Sequence, residues 1–548
     1  MASTFLEEKH GWTLFSHNKT NIWFKGYLNN CSIDALIEEI NKLILNNTAN
    51  ATNLSNIVKK NNGHFAIVID ANTWLFGAVD KIRSIPLYYT GSSSEDFSIS
   101  PYTQLLKDRS KIDISKLDSR GVVQISMSGY CIGRRTMIEG LYQLNAGECI
   151  FVDGSKLTRK YYYTYSPWLV NNVRNKNKLI KEFSEICWST IQDIVKSAEG
   201  RQIVIPLSAG NDSRLIASGL KEMGIKNVLC FSYGKSGNFE SVTARAIADK
   251  LGYPWINIPV SIKSQKLFFE SDVYRQYIDE FESYASVPAV QDVSEIYLLF
   301  KNNIIDKDAV IINGNSGDFI SGGHVINKLN NENSAITMKG VYFNHFLDKH
   351  FSLWECLRNT SNDTMIVSEL NKHSIERNIP IDLPKDKIFG ITECLEYAGR
   401  QTQYVVNQQR AYDYFGYDWR LPLWSDNFLN FWEGVPLEYK LGQTLYIESL
   451  YQNNWGKVWK DIPVNKKKIS PAWLGAFRLL MKPCFIPFGK DQWHKFDKKV
   501  FQYWIDPSYN IAITSYYDVL NDKKGYRNHV SWVVDDYFKH RNIKFPGN

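Results

Sequence analysis

"IVIPLSAGNDSRLIASGLKEMG", residues 203–224, sets an apolar run against a turn of small and polar residues, followed at once by a pattern with helical spacing. Ile203, Val204, Ile205 and Leu207 suit a buried strand, and the residues after Asp212 suit a helix. Small residues let the backbone of Ser208, Ala209, Gly210 and Asn211 turn tightly, so that its N–H groups can approach a bulky anion. The start of the next helix adds unpaired N–H groups and the positive end of its dipole. Ser208 and Ser213 offer hydroxyl donors. Asp212 suits a metal ion shared with a phosphate better than the phosphate itself. Alone, the loop also fits an ordinary strand-to-helix turn with Asp212 near an N-cap. The commoner phosphate loop G-x-x-x-x-G-K-[ST] is excluded at "GKS", 234–236, because Leu229 stands where its first glycine belongs.

Outward from this loop, strand-like and helix-like segments alternate: "QIVIPLS", "DSRLIASGLKEMG", "NVLCFSY", "FESVTARAIADKLG", "WINIPV" and later "DAVIIN". In the second helical segment Ala244, Ile247, Ala248 and Leu251 fall at i, i+3, i+4 and i+7, and Gly252 follows as a stop. This alternation predicts an α/β fold with a doubly wound parallel sheet over residues 175–548, with ligands at the carboxyl ends of its strands. The 208–213 loop lies at such an end. Residues 1–170 have another texture. Short apolar runs such as "GHFAIVID", "TWLFGAV" and "GECIFVD" are bounded by Gly, Asn, Ser or Asp, which predicts a mainly β, α+β domain in front of the first.

Bulk properties exclude several classes. The 548 residues, 44% apolar and 22% charged, are globular in composition and long enough for more than one core. No segment approaches the roughly 18 continuous apolar residues of a membrane span. "MASTFLEEKHGW" lacks the apolar region of a secretory signal, so a cytoplasmic location is expected. The eight cysteines are scattered without a C-x-x-C, against both a zinc site and a disulfide framework. A net charge of +7 is mild, and no nucleic-acid partner is indicated.

The 208–213 loop resembles the S-G-G-x-D-S pyrophosphate motif of the asparagine synthetase family, within the PP-loop ATP pyrophosphatases. "INGNSGDFISGGH", 312–324, is similar to that family's G-E-G-x-D-E-x-x-G-G-Y through Gly314, Asp318, Gly322 and Gly323. "DYFGYDWRLPLWSD", 413–426, resembles its E-x-R-x-P-F-L-D segment, and "IPVNKKKI", 462–469, falls where the family keeps an active-site lysine. "GHFAIVIDANTWLFGAVDKIRSIPLYY", 63–89, is similar to the end of its glutaminase domain, an Ntn-hydrolase fold, here shortened.

The resemblance implies an ATP-dependent, Mg2+-requiring carbon–nitrogen ligase: a small-molecule carboxylate is activated as an acyl-adenylate, pyrophosphate leaves, and ammonia or an amine attacks. It implies that Ser208, Ala209, Gly210, Asn211, Asp212, Ser213 and Gly314 hold ATP and pyrophosphate, and that Asp212 and Asp318 carry the metal. One lysine of Lys466, Lys467 and Lys468, with Lys468 favoured, would steady developing negative charge. A solvated lysine run is the plain alternative. Arg420 could clamp a carboxylate or phosphate, or form a structural salt bridge. Asn315 replaces the motif's glutamate and Phe319 its second acid. Asparagine cannot repel an anionic substrate, so the acceptor is expected not to be plain aspartate, with a sugar acid among the candidates. Arg214, Ser316 and Gly317 are candidate substrate contacts, Arg214 being equally readable as a surface arginine. The alternative function is a binding or regulatory protein that kept the fold.

Two further expectations concern the ends. The chain opens Met1, Ala2, Ser3, its first cysteine is Cys31 in a helix-like segment, and "FKGYLNN" stands where the family has N-G-E, placing Lys25 and Tyr27 in the former glutamine pocket. Glutamine hydrolysis is therefore not expected, and nitrogen would come from ammonia, an amine or a separate amidotransferase. From about residue 470 the chain is basic and partly amphipathic, with Ser470 and Pro471 as a helix start and Trp473, Phe477, Leu480 and Met481 on one face. A helix packed as a lid is the plain reading, and contact with an anionic membrane surface is the alternative.

Overall fold

The computed structural model describes residues 2–17, 19–170, 174–234, 237–326, 338–380, 383–464, 472–505, 512–525 and 528–547. Five parallel strands form the sheet that positions the site, in the spatial order Trp255–Pro259, Val228–Gly234, Ile203–Pro206, Val310–Ile312 and Asp418–Arg420. Ile203, Val204 and Ile205 are almost wholly buried, as a central strand covered on both faces requires. The chain steps outward from 203 through 228 to 255, then returns to lay 310–312 on the other side. The direction of growth therefore reverses between Ile203–Pro206 and Val310–Ile312. Loops leaving the carboxyl ends of two such strands diverge and open a crevice.

The helices follow their spacing. Asp212–Glu222 leaves the first loop, and Phe239–Leu251 buries Ala244, Ile247, Ala248 and Leu251. Gly252 closes the latter in the left-handed region at φ +71°, donating to the carbonyls of Ala248 and Asp249. The fifth strand, Asp418–Arg420, carries no strand-like run of its own. Its place is set by pairing with Val310–Ile312.

Residues 3–161 supply two more sheets. One has six antiparallel strands, ordered Lys156–Tyr161, Glu148–Asp153, Trp74–Val79, Gly63–Asp70, Thr20–Leu28 and Thr13–His17. The other has four: Ser3–Thr4, Ser98–Ser100, Tyr88–Thr90 and Leu141–Gln143. Alternate residues of Gly63–Asp70 serve opposite faces. Ile67 and Ile69 join a core with Leu36, Ile40, Leu54 and Val58 from the helices Ile33–Leu45 and Ala51–Lys60, while Ala66 and Val68 join the main core with Tyr89 and Ile99. Cys31 lies in the loop before the first of these helices rather than inside it, with its thiol donating to Asn61 Oδ1 at 2.9 Å.

Lys25 and Tyr27 are held by contacts within the chain itself. Lys25 and Asp413, each 5% exposed, pair at 2.8 Å. Tyr27 donates to His64 Nδ1 at 2.7 Å, and His64 Nε2 donates to the Trp424 carbonyl at 3.2 Å. That arrangement requires a neutral imidazole, and burial lowers its pKa to about 4. The unfolded chain takes up this proton near the ordinary value of 6.5, so the site's stabilisation is complete above that pH and is lost as pH falls toward 4. The loss amounts to ~3 kcal/mol. Asp80, raised by burial to about 6, has the opposite slope, so the test compares wild type with His64→Gln. Urea unfolding at pH 7 and pH 4.5 should show the variant losing ~2 kcal/mol less on acidification. An equal loss in both would remove His64 as the cause.

Candidate active site

The two loops at the switch point meet. In the first, Ser213 Oγ accepts from the Ser208 N–H at 3.0 Å and lies 3.2 Å from Ser208 Oγ, while the Gly210 N–H donates to Ser208 Oγ at 3.2 Å. The hydroxyls thus brace the turn. The Ala209 N–H donates to the Glu240 carboxylate at 2.9 Å, so a backbone donor of this loop already holds an anionic oxygen. The second loop approaches so closely that side chains are excluded. A Cβ on Gly314 would lie 2.9 Å from the Ser213 nitrogen, and one on Gly317 would lie 2.5 Å from Asp212 Cγ. Ser316 holds the left-handed conformation at φ +67° that turns this loop back.

This contact joins the two acids. The Asp318 N–H donates to Asp212 Oδ2 at 3.1 Å, and Tyr446 donates to Asp212 Oδ1 at 2.9 Å. Burial, and then the charge of Asp318, raise the Asp212 carboxyl to about 7. Asp318 is lowered instead: burial opposes this, but His324 Nε2, 3.2 Å from Asp318 Oδ2, favours its charged form. His324 also bonds Glu396 through Nδ1. Against burial, these two carboxylates raise it to about 9, so it is a cation at neutral pH. Lys349 and His350 pair with the other oxygen of Glu396, at 2.8 and 3.0 Å. Gly322, at φ +99°, and Gly323 let the chain after Asp318 pass against Lys440 and Gln443.

Two cavities open here. The larger, about 480 Å3, is lined by both loops together with Tyr233, Glu240, Gln291 and Asp292. A neighbour of about 230 Å3 shares Gln291, Asn315, Ser316 and Asp318 and adds Arg400, Gln401 and Gln408. Carboxamides are chained along the shared wall: Asn315 Nδ2 donates to Gln408 Oε1, and Gln408 Nε2 donates to Gln291 Oε1. Ser316 Oγ donates to Gln401 Oε1 at 2.8 Å.

Thus Ser208, Gly210, Asn211, Asp212, Ser213, Gly314, Asn315, Ser316 and Asp318 come together around one cavity, with Gly317 packed behind it and Ala209 in the same turn. Two arginines do not. Arg214 is fully buried behind the loop, donating to the carbonyls of Ala209 at 3.0 Å and Ile462 at 2.9 Å, with its guanidinium 5.4 Å from the Trp459 ring centre. It braces the loop from outside the cavity, which corrects its reading as a substrate contact. Arg420 is corrected likewise. Its guanidinium lies 4.1 Å from the Tyr27 ring centre and donates to Ser197 Oγ and to the carbonyls of Ser197 and Trp419. Lys466, Lys467 and Lys468 lie outside the described residues, as do Ser470 and Pro471. Tyr446, Glu240, Glu396 and the carboxamide wall had no signature in the sequence. His324 had one, since it takes the place of the tyrosine closing the second motif.

A parallel sheet whose switch point carries a tight donor loop and a facing acidic loop defines the class of the fold: an α/β domain with its candidate site at the carboxyl ends of the strands. Residues 191–452 match the family described as asparagine synthase. Among solved structures, an NH3-dependent NAD synthetase from Campylobacter jejuni, in complex with nitrate, is 15% identical over 38% of this chain and 100% of its own, with a TM-score of 0.20. An allosteric regulatory enzyme of purine biosynthesis is 12% identical over 55% of this chain and 56% of its own, TM-score 0.18. A glutamine phosphoribosylpyrophosphate amidotransferase from B. subtilis, complexed with ADP and GMP, is 12% identical over 56% and 59%, TM-score 0.17. The chain spans little more than half the length of the latter two. No curated protein matches it.

Proposed function

We propose that the chain is an ATP-dependent ligase that activates a carboxylate as an acyl-adenylate and passes the acyl group to ammonia or an amine. The meeting of Asp212 and Asp318 beside the Ser208–Ser213 turn carries this reading. ATP would supply the activating adenylyl group, and Mg2+ would offset phosphate charge, bound by two carboxylates and the phosphates themselves. The residues fit such an ion. Asp212 and Asp318 are hard oxygen donors, and burial, with the charge of Asp318 beside it, pushes the Asp212 carboxyl up, a cost that a shared cation would relieve. The backbone donors of the turn and the first turn of Asp212–Glu222 would hold the departing pyrophosphate. The closeness enforced by Gly314 and Gly317 keeps both loops in register with it.

The smaller cavity would take the acid. Its carboxamides offer paired donors and acceptors suited to hydroxyl groups, and Asn315 places no negative charge beside an anionic substrate. This favours a polar, hydroxyl-bearing acid, such as a sugar acid, over plain aspartate. Exchange of labelled pyrophosphate into ATP, run with a panel of carboxylates, tests the reading. Acid-dependent exchange supports it, and exchange with no acid in a broad panel contradicts it.

The nitrogen source in this reading is not glutamine hydrolysed by the chain. Lys25, Tyr27 and His64 are committed to Asp413 and Trp424 where the resembled pocket would hold its ligand, and burial raises rather than lowers the pKa of the Cys31 thiol. With the acid that supports exchange, ammonium should give amide, while glutamine at the same concentration should give neither amide nor glutamate. Steady glutamate release by the pure protein would overturn this part.

A further inference from the structure

We propose that the face formed by residues 473–488 docks on an anionic membrane surface. Nineteen large apolar residues are exposed among the described residues, and six of them crowd into this stretch. They are Trp473, Phe477, Leu479, Leu480, Ile486 and Phe488, with Leu479, Leu480, Ile486 and Phe488 each at least 70% exposed. Single exposed leucines are ordinary, whereas a cluster of this density marks an interaction surface.

The face is built rather than frayed. On the inner side of the helix Ala472–Met481, Leu474 packs with Trp493 and Phe501, with Phe485 and Phe496 against them. Arg478 fixes the helix rotation by donating from Nε and Nη2 to both oxygens of Asp497, at 2.6 and 2.5 Å. With the inner side so fixed, Trp473, Phe477, Leu479, Leu480, Ile486 and Phe488 are left exposed.

Charge selects the occupant. Residues 472–505 carry six Lys and Arg against two Asp and no Glu. Lys482 and Lys490, exposed at the margin of the apolar residues, have no ion pair among the described residues. A second copy of the chain would bring the same positive charge against them. An anionic bilayer instead takes apolar side chains into its headgroup boundary and lysines onto its phosphates. No helix among the described residues is long and apolar enough to cross a membrane, so the contact lies at the surface.

The test is flotation of the full chain with vesicles of phosphatidylcholine alone and of phosphatidylcholine mixed with phosphatidylglycerol. The protein should float with the mixed vesicles at low salt and not with the neutral ones. Leu480→Asp/Ile486→Asp and Lys482→Glu/Lys490→Glu should each lower partitioning by about tenfold or more. These side chains are solvent-facing, so thermal melting and pyrophosphate exchange should stay near wild type in both pairs. Failure to float with anionic vesicles overturns the proposal, as does equal flotation of the variants. Self-association abolished by Leu480→Asp/Ile486→Asp, without vesicle binding, would give this face to a second copy instead.

Discussion

Asp318→Ala and Asp212→Ala are each expected to lower acid-dependent pyrophosphate exchange by about a thousandfold or more. Asp212 and Asp318 are the two carboxylates that meet where the loops touch, so each is expected to carry a share of the ion. Asp318 also keeps His324 in position, and Asp212 accepts from both Tyr446 and the Asp318 N–H. A loss from misplacement is separable from a loss of ligand. Asp318→Asn keeps a side-chain acceptor for the Phe319 N–H, which Asp318 Oδ1 binds at 2.8 Å, while removing the charge. The Asn variant should melt like wild type and still fall by about a hundredfold or more. Wild-type exchange in either alanine variant would remove that aspartate from the chemistry.

Gly317→Ala is expected to be nearly as severe by a different route. Its Cβ would lie 2.5 Å from Asp212 Cγ, 2.6 Å from Asp212 Oδ1 and 2.6 Å from Leu423 Cδ1, contacts that folded chains do not tolerate. One methyl group must therefore separate the loops or rotate Asp212 away from Asp318. Overpacking of this kind costs about 1–3 kcal/mol in stability. A displacement of about 1 Å at the reacting centre costs on the order of a hundredfold in rate. Gly210→Ala is the comparison, since its Cβ would meet only the rotatable Ser208 hydroxyl, at 3.3 Å. Melting and exchange assays on both variants should place the larger loss at 317 in each. Equal behaviour would mean that the loops do not need their close approach.

Much of this arrangement could be read from the chain. Ile203 to Leu207, the small-residue turn, and the Ala244, Ile247, Ala248 and Leu251 spacing state a parallel sheet with a loop at its carboxyl edge, because burial on two faces and helical periodicity leave marks within a few residues. The Gly and Asp pattern of 312–324 was legible because only glycine fits where backbone meets backbone. The strand Asp418–Arg420 was not, since its three residues are held by pairing with Val310–Ile312 rather than by local preference. Arg214 and Arg420 misled for a related reason. An arginine beside a motif reads the same whether it faces the cavity or braces the loop, and only the positions of Ile462, Ala209, Tyr27 and Ser197 decide. Glu240, Glu396 and Tyr446 reach the site from distant segments, so no spacing announces them.

The central claim is that the cavity between the two loops cleaves ATP between its α and β phosphates to activate an acid. With the carboxylate that supports exchange, labelled with 18O in its carboxyl group, a single turnover with ammonium or an amine tests it most directly. The account predicts amide, pyrophosphate, and AMP carrying one 18O transferred from the acid. Formation of ADP with 18O in inorganic phosphate, or AMP free of label, would contradict it.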